Sequence, residues 1–381
     1  MIRFKSIDIF RGMCIFYMTF GHMLNWWLLR SDFTSDFSLY NFLWNLGAPI
    51  GGAGFLLVSG LSASLSYRKQ IYKSQISDDY TVRRARNEYL LRAFEIFIIS
   101  TLWNMFGYFF LGLPGIWLWF VLQTMSISLF MAFPLFRIKK IFRLLICFCF
   151  WIGNEIIFNV LSPYAGESNP MGITYYILYN GIEQNVILGY FPFLLLGTIL
   201  GDILFEASLI KEQKEQSQYI KSKFIFNNLY GGIFLIIVGV LWNYPSFMYK
   251  ETLSSHMFIV GVELILFSFL IYIKDLKKLQ FKRKYTFFEY YSYYSFTIFL
   301  SHHLLYFLFQ PQFNALEIWL YIVPIMTFWT LLFRLIYKKI GKYASVKFYF
   351  NKTAVYLAKK IELANFINFP RIKPVKKIDI N

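Results

Sequence analysis

The chain has 381 residues, 57% of them hydrophobic and 22% aromatic, with a net charge of +17. That is more apolar surface than a soluble core of this length buries, and long apolar runs bounded by basic clusters mark a multi-pass membrane protein. The positive charge sits in short loops between those runs, where it orients helices and meets anionic lipid head groups, which argues against a nucleic-acid partner.

At about 20 residues per span, the apolar runs predict an all-α, polytopic integral membrane protein of about ten transmembrane helices. The spans fall at 8–29, 45–66, 92–111, 115–136, 141–162, 182–205, 227–244, 253–273, 290–309 and 315–337. The first opens Ser6-Ile7-Asp8-Ile9-Phe10-Arg11-Gly12 and reaches Gly21-His22-Met23, with Asn25 one turn further. A charged side chain in hydrocarbon costs about 2.5–3.5 kcal/mol and therefore faces a cavity or a partner. Arg11 and His22 are eleven residues apart, about three turns, which puts them on one face roughly 16 Å apart. Asp8 precedes Arg11 by three residues and pairs on the same side. One helix thus carries an ionic group near one membrane surface and a titratable group deep inside.

The second span opens with a glycine-dense stretch from Gly47 through Gly51, Gly52 and Gly54 to Gly60. Such density means a broken helix entrance lining a channel, or very close backbone packing; no nucleotide fingerprint accompanies it. In the third span Arg92 and Glu95 have the spacing of an ion pair. Gln123 and Glu263 lie deep in the fourth and eighth spans as cavity candidates, whereas Asp202 and Arg334 lie near span ends, within reach of water by snorkelling. Residues 206–223 read as a solvated polar linker, and His256 as interfacial. In the ninth span, Tyr294 through Ser301-His302-His303 brings His302 some 18 Å in from the start, a depth similar to that of His22. His302 and His303 are about 100° apart on a helix, so one of the two faces any given cavity. Imidazoles at matched depth take a proton from a hydroxyl or amine near neutral pH, or else bond backbone and serine groups between helices.

The connections 67–91, 137–140, 206–226 and 274–289 each carry several Lys or Arg, whereas Arg30 and Lys250 are the only basic residues in the alternate set. Both termini are accordingly expected in the cytoplasm, with the chain in the plasma membrane. Residues 1–340 form the membrane domain; 341–381 are a basic, partly amphipathic tail expected on the cytoplasmic membrane surface. The first apolar run is too long for a cleaved signal peptide. Cys14, Cys147 and Cys149 all fall in apolar runs and show neither a disulfide framework nor metal-ligand spacing; no metal site is expected.

Several blocks in order resemble the heparan-α-glucosaminide N-acetyltransferase catalytic-domain family, and its prokaryotic members most. They are Ser6 through Gly12 with Met18 and Gly21-His22-Met23; Gly54 through Ser59-Gly60 followed by Leu65-Ser66-Tyr67-Arg68; Leu90-Leu91-Arg92 with Glu95; Phe191-Pro192-Phe193 with Gly197 and Gly201-Asp202; and Ser295 through His302-His303. The Arg11–His22 spacing is also similar to a motif of acyltransferase family 3. The resemblance implies transfer of an acetyl or other acyl group from CoA, docked from the cytoplasm, to an amine or hydroxyl of an extracytoplasmic glycan or lipid-linked sugar. It implies that Asp8, Arg11, Arg68 and Arg92 serve the acyl-CoA end, that His22 with His302 or His303 acts as base, and that Asn25 steadies the oxyanion. One departure stands out. The lysosomal member carries its catalytic histidine in the loop after the first span, and residues 30–44 here contain none, so heparan sulfate is not the expected acceptor. A transporter of a small polar or amphiphilic solute would use the same intramembrane charges and broken second span, and a membrane sensor would pack His22 among apolar neighbours. Association into a homo-oligomer is left open.

Overall fold

The computed structural model describes residues 4–29, 47, 50–77, 79–179, 185–248, 252–277 and 287–363. Among them every regular element is helical, apart from one isolated bridge between Leu28 and Phe313. In chain order the helices are α1 (Lys5–Trp27), α2 (Gly52–Ile76), α3 (Val82–Leu111), α4 (Val121–Leu135), α5 (Lys140–Leu161) and α6 (Pro170–Tyr179). There follow α7 (Ile187–Leu209), α8 (Gln213–Trp242) and α9 (Leu253–Leu276). The last are α10 (Phe287–Tyr293), α11 (Ser295–Ser301), α12 (Trp319–Lys339) and α13 (Val346–Leu363).

Six of the described helices, α3, α5, α7, α8, α9 and α12, are long and apolar enough to cross a membrane. The protein is an all-α membrane protein. Large apolar side chains such as Phe110, Leu241, Leu316 and Leu320 are exposed on its flanks, as expected where lipid and not water is the neighbour. The remaining expected spans behave differently. Helices α1 and α2 are long but carry charges. Helix α4 has 15 residues, about 22 Å at 1.5 Å each, short of the roughly 30 Å hydrocarbon layer. The ninth segment is interrupted: α10 ends at Tyr293, Tyr294 leaves the helical region with its hydroxyl donating to the Gly341 carbonyl (2.7 Å), and after α11 the chain tightens into a 3₁₀ turn, His302–Phe307.

Two close backbone approaches set the packing around the site. Helices α2 and α7 touch where a methyl on Gly60 would lie 1.9 Å from the Leu194 carbonyl oxygen and one on Gly197 would lie 2.0 Å from that of Leu57. Gly60, inside the second span, therefore serves close contact, while the regular helix of that span begins only at Gly52. Helix α1 sits as closely on α10, since a methyl on Gly12 would meet the Phe288 carbonyl at 1.9 Å. The start of α1 is capped by Asp275 of α9, which accepts from the backbone of Lys5 (2.9 Å) and Ser6 (3.3 Å) and from the Ser6 hydroxyl; a carboxylate there meets the orphan N–H groups and the positive end of the helix dipole.

One expectation is corrected here. Residues 213–223 are not a solvated linker but the first turns of α8, through a π-helical segment Ile220–Phe226. Ile220, Phe224 and Ile225 are buried, and the Gln216 amide donates to the Ala207 carbonyl at 2.8 Å. Polar composition misleads because one face of this stretch is apolar. In the tail, α13 packs along α3: Ala354 and Ala358 are buried, and Thr353 donates to Glu95 at 2.5 Å. Residues 364–381 lie outside the described residues.

Candidate functional site

The polar groups of α1 define the site. At its Trp27 end, α1 is stitched to the segment following α11. The Trp27 indole N–H donates to the Leu305 carbonyl (3.2 Å), the backbone N–H groups of Gln312 and Phe313 donate to the Trp27 carbonyl (3.0 and 3.1 Å), and that of Leu29 donates to Phe313 (2.9 Å). This tie brings His22 against the 3₁₀ turn. Its ring centroid is 5.1 Å from that of His302 and 6.1 Å from that of His303, and the latter two are 4.1 Å apart. The expectation that only one of the pair faces a common space is not met. The chain has left the α-helix at this point, and both rings reach the same cluster.

Aromatic rings close the cluster. Trp26 stacks on His22 (5.2 Å) and on His302 (5.8 Å), Trp103 of α3 meets His303 edge-on at 4.9 Å, and Phe299 lies 5.6 Å from His302. His302 is fully buried, and its Nδ1 lies 2.6 Å from the Phe299 carbonyl oxygen. A carbonyl only accepts, so Nδ1 carries the hydrogen, and in the neutral ring Nε2 presents the lone pair. That Nε2 is buried without a hydrogen-bond partner among the described residues, as is Nδ1 of His303. Asn25, one turn beyond His22 and on the same side of α1, is partly buried and has no hydrogen-bond partner among the described residues.

Toward the Lys5 end, Arg11 is 8% exposed. It donates to the Ser62 hydroxyl of α2 and lies 3.5 Å from Asp8, which accepts from Ser292 of α10 at 3.4 Å. Arg11 and Asp8 thus join three helices below the histidines. Arg68 and Arg92 belong to other clusters. Arg68 donates through Nε and Nη2 to both carboxylate oxygens of Asp202 (3.0 and 2.9 Å) and through Nη2 to the Phe136 carbonyl (2.9 Å). Arg143 donates to the same carboxylate and to Thr198 (2.8 Å), and Ser64 adds a bond of 2.5 Å. Asp202 is 3% exposed and Arg143 1%, so snorkelling does not describe Asp202: the α2–α7 contact encloses it. Arg143 escaped sequence reasoning, although an arginine near the start of an apolar helix, one turn beyond Lys139-Lys140, is a usable signal.

Arg92 pairs not with Glu95 but with Glu88 (3.3 Å), which Arg84 (3.3 Å) and Gln70 (2.8 Å) also reach; Glu95 takes Thr353 instead. Gln123 is buried and accepts from Ser100 at 2.7 Å, a bond within the α3–α4 contact. Glu263 is 1% exposed, and neither of its carboxylate oxygens has a hydrogen-bond partner among the described residues. His256 is enclosed by protein: it is 3% exposed and stacks on Trp151 at 5.8 Å, with Nδ1 2.7 Å from the Thr252 carbonyl. Residues 30–44, where the absence of histidine was noted, lie outside the described residues.

The arrangement offers, in the neutral ring, the lone pair of His302 inside an aromatic enclosure and, about three turns from His22 along α1, the buried guanidinium of Arg11. The family described as heparan-alpha-glucosaminide N-acetyltransferase, catalytic, matches residues 3–225. The match takes in α1 with Arg11 and His22, α2, α7 and the Asp202 cluster; it ends before the segment that carries His302 and His303. No curated protein sequence matches the chain.

Proposed function

Since the chain belongs to the heparan-α-glucosaminide N-acetyltransferase catalytic family of membrane acetyltransferases, we propose that it moves an acetyl or other acyl group from a cytoplasmic CoA thioester to an extracytoplasmic sugar amine or hydroxyl. The observation that supports this most is the meeting of His22 with His302 and His303. The buried Nε2 of His302, its tautomer set by the Phe299 carbonyl, is suited to take a proton. The acceptor heteroatom bonds to the acyl carbon as its proton passes to that nitrogen; the C–S bond breaks, and the thiolate leaves and is protonated. Arg11, with Asp8 orienting it, meets the donor's pyrophosphate, and Asn25, one turn from His22, donates to the oxyanion. The aromatic enclosure lowers the local dielectric and strengthens each of these interactions.

Gly60 of α2 is used in close packing on α7, the use of a small residue that the acyl-transfer reading expects inside this span. The test is binding of acetyl-CoA to purified protein in nanodiscs, followed by release of free thiol when sugar acceptors are added. Saturable binding that weakens in Arg11→Ala, with thiol release lost in His302→Ala, is the expected result. Folded protein that binds neither acetyl-CoA nor CoA would overturn the reading.

A further inference from the structure

Away from the histidines, the C-terminal ends of α2, α4 and α7 and the start of α5 surround a cavity of about 920 Å³. That is within the range of roughly 300–1,000 Å³ typical of small-molecule sites. It opens on the side that the loop charges predict to be cytoplasmic. One wall is aromatic: Tyr67 stacks on Phe136 with centroids 5.3 Å apart and planes 20° from parallel.

The rest of the lining is cationic. Five basic residues face two carboxylates, Asp202 and Glu206, and both carboxylates are already engaged. Asp202 is held by Arg68 and Arg143, and Glu206 by Lys140 (2.6 Å) and the Tyr219 hydroxyl (2.7 Å). Arg137 and Lys139, at the exposed mouth, have no ion pair among the described residues. Exposed basic loop residues alone would merely reflect helix orientation. A second observation points inward: Arg143 lines the cavity, is 1% exposed, and keeps its Nε–H without an acceptor among the described residues. A buried unmade hydrogen bond to a charged group is costly, and an anionic oxygen in the cavity would complete it.

We propose that this cavity binds an organic phosphate, with phosphoryl oxygens on Arg137, Lys139 and Arg143 and the apolar or ring portion against Tyr67 and Phe136. Guanidinium groups match phosphate geometry, and aromatic faces accept a planar ring. Two sources share that chemistry: the 3′-phosphoadenosine end of CoA, a choice that rests on the acyl-transfer reading, and a phosphorylated lipid head group, which does not.

The test uses full-length protein in neutral phosphatidylcholine nanodiscs, titrated with adenosine 3′,5′-bisphosphate. A parallel arm looks for co-purified phospholipid by native mass spectrometry. The Arg137→Ala/Lys139→Ala double variant changes exposed side chains, and its melting temperature is recorded to show that it folds. The nucleotide source predicts saturable binding that weakens about tenfold or more in the double variant and is unchanged in His302→Ala. The lipid source predicts no nucleotide binding but an anionic phospholipid retained by the wild type and lost from the double variant. Binding that neither variant nor salt alters, or no phosphate-bearing ligand in either arm, overturns the proposal. Variant-sensitive binding in a protein that transfers no acyl group would leave this site standing and remove the acyl-transfer reading.

Discussion

Two polar clusters buried in the same protein are built on opposite principles. Around Asp202, two arginines and a serine from α2 and α5 saturate one carboxylate. Around His22, three imidazole rings meet at tilted angles, and the nitrogens of His302 and His303 noted above find no hydrogen-bond partner among the described residues. An unmade buried hydrogen bond costs about 1–3 kcal/mol, so a fold that keeps one has a use for the open atom or tolerates the loss. A saturated carboxylate holds helices together; an open nitrogen, as on the histidines or at Arg143 Nε, is where a ligand fits. By this measure Arg68 is first a strut, although the resemblance grouped it with Arg11.

Substitutions can test the contrast directly. His302→Ala should lower acyl-transfer rate by about 10²–10⁴-fold, the usual contribution of a general base, with little change in melting temperature. His303→Ala should cost less. Equal activity in all three proteins would make the histidine cluster structural after all. Asp202→Ala should do the reverse. It strands Arg143 in the interior, and breaking a buried pair costs about 3–5 kcal/mol, which would appear as a large fall in melting temperature or in folded yield. If the variant melts like the wild type but loses donor binding, the strut is a site. Gly197→Ala should cost about 1–3 kcal/mol by overpacking, because the new methyl meets the Leu57 carbonyl; thermal melts in detergent would read it. Arg92→Ala leaves Glu88 still bonded to Arg84 and Gln70, so stability should change by under about 1 kcal/mol. A rise in the donor's KM without that change would return Arg92 to the donor site.

Much of this organisation is a property of one dimension. Apolar run length, charge alternation between loops and the Arg11–His22 interval all follow from spacing along the chain, because a helix converts residue number into depth. The helical membrane class and the shared depth of His22 and His302 were therefore readable before any fold was known. Composition failed where one helix face differs from the other, as at Ile220, Phe224 and Ile225 of α8.

What spacing leaves open is rotation and lateral position. Arg92 has Glu88 and Glu95 within one turn on either side, and only the docking of α13, whose Thr353 takes Glu95, together with Arg84 and Gln70 converging on Glu88, separates the two. Asp202 near a helix end reads as water-accessible until α2 closes over it at Gly60 and Gly197. His302 and His303 would diverge on a regular helix and converge because the chain tightens after α11 and is tied to Trp27. Depth along the membrane is written in the sequence. Which side chains meet at that depth is decided by backbone contacts between distant segments, and no local pattern encodes those.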